Sequence, residues 1–279
     1  MSRFAPSPTG KLHLGHAFSA VLGHLRAVES GGAFLVRIED LDQTRSRPGF
    51  VEGIFEDLRW LGLDWSEPVL VQSERASIYD EALRQLRELG LVYPCFCTRS
   101  DITAALEAPH GAAARYPGTC RHLADDPKRR EAMPHSWRLD SQKALEVTGL
   151  PSWAEFDGRE FTARRDDIDD IILARKDAPF AYHLAVVIDD ARSGVTLVTR
   201  AADLRDSTPV QRLLQELLGL PRPTYLHHPL VAHSDGRRLA KRDLAPTLSA
   251  MRDSGVSGPK LAADLRAGKL PLGFTFVDA

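Results

Sequence analysis

Cysteine, net charge and long apolar runs are all scarce in this 279-residue chain, and each shortage closes a route. There are three cysteines, an odd number, and all lie between Cys95 and Cys120. A disulfide framework uses an even set spread along the chain, so local metal binding is the better reading. Formal net charge is −2, which excludes a global basic field of the kind that draws nucleic acid to a whole domain. Any RNA contact has to come from local patches, and Lys128-Arg129-Arg130 and Arg164-Arg165 are the candidates. No apolar run is long enough to span a bilayer. The opening Met1-Ser2-Arg3-Phe4-Ala5-Pro6 enters a Pro/Gly turn with no basic-then-apolar leader. The expectation is a cytoplasmic protein, with a monomer as its default state.

What is present is ordinary for a globular protein, with 43% hydrophobic and 27% charged residues. The length suits one large domain carrying an insertion or small appendage. Ser2 to Ala5 reads as a strand and Pro6 to Gly10 as a turn. From His13 to about Ser30 apolar residues recur at helical spacing, ended by Gly31-Gly32. Ala33 to Ile38 reads as a strand with Glu39-Asp40 at its carboxyl end. Phe50 to Leu61 and Ile78 to Leu89 read as amphipathic helices flanking a strand at Val69 to Val71. This alternation predicts an α/β fold: a Rossmann-like parallel sheet with helices on both faces.

The alternation breaks between Tyr93 and about Arg175, where the cysteines and several prolines fall. It resumes near Phe180, with strands expected at Leu184 to Ile188 and Val195 to Val198. A helix from Thr208 to Leu218 is expected to start on a Thr208 N-cap followed by proline. Tyr225 to Val231 reads as extended, and Leu244 to Ala267 as helical with a break at Ser254 to Pro259. The expected division is residues 1–92 and 176–231 as the two halves of the catalytic domain. Residues 93–175 form a zinc-containing, acceptor-binding-like insertion, and 232–279 a basic loop with a short helical appendage.

The first functional signal is Arg3-Phe4-Ala5-Pro6-Ser7-Pro8-Thr9-Gly10-Lys11-Leu12-His13-Leu14-Gly15-His16. A helix N-terminus offers free backbone N–H groups and partial positive charge, a ready anion site. His13 and His16, three apart, share one helix face. Gly15, lacking a side chain, lets a flat ring approach the backbone. A second signal is Arg238-Leu239-Ala240-Lys241-Arg242, placed on a loop by the turn Asp235-Gly236. In the pair Cys95-Phe96-Cys97 both thiols lie on one face of an extended segment. With Cys120 they leave one zinc position, for which Tyr116, His110 and His122 are candidates on spacing; general metal statistics favour a histidine.

The N-terminal run resembles the HIGH signature of class I aminoacyl-tRNA synthetases, and its Arg3-to-Gly10 stretch resembles the glutamyl branch. The basic loop is similar to the KMSKS signature, although Arg238 replaces the first lysine and Ala240 the first serine. The resemblance implies ATP-dependent formation of an aminoacyl adenylate. His13, Gly15, His16 and Lys241 would hold ATP, accompanied by Mg²⁺, with His13, His16 and Lys241 catalytic. It implies L-glutamate binding by Arg3, Phe4, Ala5, Pro6, Ser7, Glu39, Tyr182 and Arg200. Asp189-Asp190 would cap and orient neighbours. Truncated paralogues of the glutamyl enzymes carry a Cys-x-Cys … Tyr-x-x-x-Cys site, so the resemblance implies one structural zinc on Cys95, Cys97, Tyr116 and Cys120.

Only about forty residues follow Arg242, room for one small helical appendage and not for the long anticodon-binding region of the full-length enzymes. The resemblance to the truncated paralogues therefore implies glutamate activation without tRNA and transfer to the queuosine base of tRNA(Asp). The alternatives are a small glutamyl-tRNA synthetase charging a tRNA 3′ end, and a non-catalytic zinc RNA-binding paralogue.

Overall fold

The computed structural model describes residues 1–98, 100–101, 116–123, 125–176, 180–237, 239 and 246–278. Five strands make an all-parallel sheet: β1 (Ser2–Phe4), β2 (Phe34–Ile38), β3 (Ser66–Val71), β9 (Leu197–Ala201) and β10 (Thr224–His228). Their order is β10-β9-β1-β2-β3. The chain therefore winds outward from β1 in one direction through β2 and β3, and in the other through β9 and β10. The carboxyl ends of β1 and β9 lie side by side where the winding reverses, the place where open α/β sheets bind ligands.

Strand alternation distributes the side chains to two cores. Phe34, Val36 and Ile38 of β2 join Phe4 in a core covered by α1 (Leu14–Glu29), α2 (Pro48–Trp60), α8 (Leu248–Asp253) and α9 (Gly258–Arg266). Leu35 turns to the opposite face, into a core with α3 (Ala76–Glu88), α6 (Tyr182–Arg192) and α7 (Thr208–Leu217). Gly31, at φ +62°, allows the sharp return from α1 into β2. At Gly258 a Cβ would stand 1.9 Å from the Trp60 carbonyl oxygen, so only glycine lets α9 dock against the end of α2.

The remaining strands lie outside the parallel sheet. β4 (Val92–Cys95), β5 (Ser136–Leu139) and β8 (Ile172–Ala174) form an antiparallel sheet. β6 (Ser152–Ala154) and β7 (Glu160–Thr162) form a hairpin. Short helices α4 (Pro127–Ala132) and α5 (Ser141–Thr148) complete this segment. Leu139, Leu145 and Trp153 share one core with α6 and α7, so the segment packs continuously with the catalytic helices. β11 (Leu230–His233) pairs antiparallel with β12 (Phe274–Val277), a strand that sequence reading did not anticipate. No helix among the described residues is long and apolar enough to cross a membrane.

Two local expectations fail. Leu184 to Ile188, expected as a strand, lies inside α6. The helix is buried on all sides over Leu184–Asp190, so its apolar run is continuous and carries no 3.6-residue signature, and Val186, Val187 and Ile188 add strand propensity. Thr208 is not the N-cap of α7. A 3₁₀ turn over Ala202–Ser207 runs directly into that helix, and the Thr208 hydroxyl instead accepts from Arg200 Nη2 at 2.8 Å.

Candidate active site

The turn after β1 ends on His13, the N-cap of α1, with extended backbone dihedrals. Its Nδ1 accepts the Gly15 N–H at 3.2 Å, and the His13 N–H is accepted by His16 Nδ1 at 3.1 Å. This is a capping box built from two imidazoles, with ring centroids 3.8 Å apart. Because each Nδ1 accepts a backbone N–H, the ring proton of each neutral imidazole sits on Nε2. Capping thereby makes both histidines Nε2–H donors. At Gly15 an added Cβ would meet the His13 ring at 3.2 Å, so the glycine keeps that ring in place.

A cavity of about 580 Å³ opens over this turn. It is lined by Arg3, Phe4, Ala5, Pro6, Ser7, His13, Gly15, His16, Glu39, Tyr182 and Arg200, and reaches Ser19, Leu230, Val231 and Leu239. Residues far apart in the chain are thus brought together at the sheet's carboxyl edge. A second cavity of about 1140 Å³ shares Ser7, Thr9, Glu39 and Tyr182 with the first and extends past Arg45 to Arg138 and Arg175 of the inserted segment.

One wall of the first cavity, with Arg3 and Glu39 at its face, is backed by a buried charge cluster. Arg3 donates Nε to Asp190 Oδ1 at 3.1 Å and Nη1 to the Thr199 carbonyl at 2.9 Å. Arg37 donates Nη1 to the same Asp190 oxygen at 2.5 Å and Nη2 to Glu39 Oε1 at 3.0 Å. Arg3 and Glu39 are therefore not each other's partner; Asp190 and Arg37 stand between them. Burial would raise the Asp190 carboxyl, but the two guanidiniums overcome it and hold Asp190 below the usual carboxylate range. At Glu39 the balance falls the other way: burial outweighs Arg37 and Arg3, and its carboxyl is pushed up. Asp189, fully buried, accepts from Gln72 at 2.9 Å, Arg75 at 2.8 Å and Tyr79 at 2.7 Å. The two aspartates do orient neighbours, from the last turns of α6.

The adjoining wall carries Arg200, 4% exposed, on β9, the strand paired with β1. Its guanidinium donates to Gln211 Oε1 at 2.7 Å, Thr208 Oγ1 at 2.8 Å and His227 Nε2 at 3.0 Å. Among the described residues no carboxylate pairs with it. Burial pushes the Tyr182 phenol up, helped by the Glu39 charge.

In the inserted segment the three cysteine sulfurs lie within 4.8 Å of one another. Cys97 and Cys120 are 3.5 Å apart, close to the roughly 3.8 Å edge of a tetrahedron of thiolates around zinc. Tyr116 Oη sits among them, 3.3 Å from Cys95 Sγ and 3.4 Å from Cys97 Sγ, and accepts the Cys120 N–H at 3.0 Å. The Arg138 guanidinium lies 3.8 Å over the Tyr116 ring, and burial, with the hydrogen bonds to the thiols, pushes the Tyr116 phenol up. Burial pushes the Cys97 thiol up to about 11, the condition that a divalent cation at the centre reverses. The donor set fits a thiophilic metal such as zinc. His122 is exposed, no histidine joins the cluster among the described residues, and His110 lies outside them.

Lys241, with Arg238, Ala240 and Arg242, also lies outside the described residues. Within that stretch Leu239 lines the cavity, and beyond it Thr247 forms an antiparallel bridge with His13, a lining residue. Of the proposed RNA-facing cations, Arg130 pairs with Asp125 at 2.7 Å, Arg129 lies 4.3 Å over Phe96, and Arg164 pairs with Asp167 at 2.9 Å. Sequence reasoning missed Arg37, Thr208, Gln211, His227 and Glu155. The one available signal was Arg37 itself, a charge inside the otherwise apolar strand Phe34–Ile38.

A family model described as tRNA synthetases class I (E and Q), catalytic domain, matches residues 1–266. The chain is 45% identical over 278 residues to the glutamyl-Q tRNA(Asp) synthetase of Rhodobacter capsulatus, covering 95% of this chain and 98% of that protein. It is 47% identical over 264 residues to the glutamyl-Q tRNA(Asp) synthetase of Nocardia farcinica, with 94% and 82% covered. Among solved structures it is similar to a glutamate tRNA ligase from Elizabethkingia meningosepticum in complex with its amino acid, with a TM-score of 0.74 and 30% identity. That match covers 91% of this chain and 53% of the ligase, so the chain spans about half the ligase's length.

Proposed function

The chain belongs to the glutamyl-Q tRNA(Asp) synthetases, a class I ligase family; on that premise we propose that it activates L-glutamate with ATP without tRNA, then transfers the glutamyl group to the queuosine base of tRNA(Asp). The observation that carries this reading is the single cavity uniting Arg3, Glu39, Tyr182 and Arg200 with the imidazole-capped end of α1.

Charge complementarity supports the amino acid. On one wall the two cations Arg3 and Arg37 face the two anions Asp190 and Glu39 and balance. The other wall has Arg200 without a carboxylate among the described residues. The substrate's side-chain carboxylate goes to Arg200, with Arg3 and Tyr182 alongside, and its ammonium to Glu39. Its α-carboxylate then points toward the α1 N-terminus. There the Nε2–H groups of His13 and His16 hold ATP phosphate oxygens, and Gly15 leaves room for the nucleotide's ring. Mg²⁺ accompanies the nucleotide, and Lys241 holds the departing pyrophosphate.

Activation forms a bond from a carboxylate oxygen to the α-phosphorus and breaks the bond to pyrophosphate. No side chain acts as a nucleophile; positioning and charge stabilisation account for the catalysis. In the second step a hydroxyl of the modified base attacks the acyl carbon and AMP leaves with the bonding pair. The adjoining cavity past Arg45, Arg138 and Arg175 is the entry we assign to that base. Cys95, Cys97, Tyr116 and Cys120 would hold zinc, and with four protein groups as ligands its role would be structural. We assign residues 93–175 to the inserted unit and 232–279 to the segment carrying the basic loop.

The test is glutamate-dependent ATP–pyrophosphate exchange without tRNA, followed by transfer to tRNA(Asp) with and without queuosine. Exchange without tRNA and transfer only to the queuosine form are expected. Strong charging of unmodified tRNA(Glu), or no glutamate-dependent exchange, overturns the reading.

A further inference from the structure

Arg200 is held by neutral groups, and one of them leads to a carboxylate that lies outside the cavity lining. Arg200 Nε–H is accepted by His227 Nε2 at 3.0 Å. For His227 to accept there, its Nε2 cannot carry a proton. Its other ring nitrogen, Nδ1, faces Glu155 Oε1 at 2.7 Å. A carboxylate only accepts, so the ring proton sits on Nδ1 and is donated to Glu155. Glu155 therefore dictates the tautomer, and the tautomer dictates that His227 can receive Arg200. A doubly protonated ring would turn an N–H donor and a positive charge toward the guanidinium. Burial lowers the His227 pKa, with the Glu155 bond opposing and the Arg200 charge assisting.

The arrangement is rigid. The His227 side chain is fully buried and that of Glu155 is 8% exposed. Trp153 Nε1 donates to Glu155 Oε1 at 3.3 Å, and the next residue's N–H, on Phe156, is accepted by the Tyr225 carbonyl at 2.7 Å. Glu155 follows β6 in the inserted segment and bridges in parallel to Tyr225 of β10. The imidazole also serves as a spacer. A carboxylate placed directly against Arg200 would neutralise it and compete with the substrate. Set one ring away, Glu155 fixes the guanidinium's orientation and leaves its charge for the ligand.

We propose that Glu155 and His227 are positioning residues for Arg200, and that this pair sets the preference for glutamate over glutamine. The inference rests on the assignment of Arg200 as receptor for the side-chain carboxylate.

The experiment uses the full-length protein and its His227→Phe, His227→Gln and Glu155→Gln variants. ATP–pyrophosphate exchange is measured with glutamate and with glutamine, giving KM for each amino acid and, separately, for ATP. His227→Phe removes the acceptor and is expected to raise the glutamate KM about tenfold or more, the loss of one hydrogen bond to a charged group. The ATP KM stays within about twofold and the glutamate-to-glutamine preference falls by about the same factor as the glutamate KM rises. His227→Gln, which restores an acceptor oxygen, recovers most of that loss. Glu155→Gln frees the tautomer and gives an intermediate effect. Should His227→Phe fail to fold, the same split is read on the two conservative variants. Amino-acid preference unchanged in the variants, or glutamate and ATP KM rising together, overturns the pair while wild-type exchange stands. Absence of glutamate-dependent exchange in the wild type overturns the assignment of the site itself, and the pair with it.

Discussion

The two arginine walls of the cavity solve the same burial problem in opposite ways. Arg3 and Arg37 are neutralised inside the protein by Asp190 and Glu39. Arg200 is satisfied by an amide, a hydroxyl and an imidazole, so its hydrogen bonds are made and its charge is not cancelled. A paired buried charge belongs to the fold. A hydrogen-bonded but unpaired one is costly to bury, and a ligand of opposite sign recovers the difference. Asp190 and Arg37, which do not line the cavity, should therefore answer to mutation mainly in stability, and Arg200 mainly in substrate binding.

The harshest way to break the contrast is Asp190→Ala. It leaves Arg3 and Arg37 buried without their shared acid and should cost about 3–5 kcal/mol of stability, read as a lowered denaturation midpoint. Arg200→Gln should do the reverse, with a midpoint close to wild type and kcat/KM for glutamate reduced about a hundredfold. Equal loss of stability in the two variants would erase the distinction.

Changing pH sharpens the contrast within the first wall. Asp190 has a folded pKa below its unfolded value, so its contribution to stability is present above the unfolded pKa. That contribution is lost as pH falls through the folded one. Glu39 has a folded pKa above its unfolded value, so it takes up a proton in the folded state first as pH falls. In the proposed site, glutamate binding needs the Glu39 anion for the ammonium. Affinity should therefore weaken as pH drops through that raised pKa, and calorimetry should show proton release on binding. Affinity indifferent to pH there would remove Glu39 from the ammonium role. The mildest change is Arg37→Lys. It keeps the charge but loses the fork that spans Glu39 and Asp190, and should cost about 1–2 kcal/mol with only a small change in glutamate KM.

Much of the site is legible because it is local. Arg3 through His16 is one continuous run containing a strand end, a proline-rich turn and a helix cap, and Glu39 follows directly from the apolar strand before it. What stays hidden is set by distant packing. Asp190 meets Arg3 across 187 residues, and Glu155 meets His227 across 72; no spacing rule connects either pair. The buried helix Tyr182–Arg192 misled for a related reason: an element covered on every side has no polar face to mark its period. β12 is only four residues long, half-buried, and acquires its strand character from pairing with β11.

The parallel order β10-β9-β1-β2-β3 also has a history in time. The central strand is the first to be synthesised, yet Asp190 follows Arg3 by 187 residues and β9 comes later still. At roughly 5–20 residues per second, Arg3 is synthesised about 10–40 s before its acid. During that interval β1 has its β2 side available and its β9 side bare. A nascent chain arrested shortly before Asp190 should expose this edge, and withdrawal of Arg3 from solvent should mark one of the last steps of assembly.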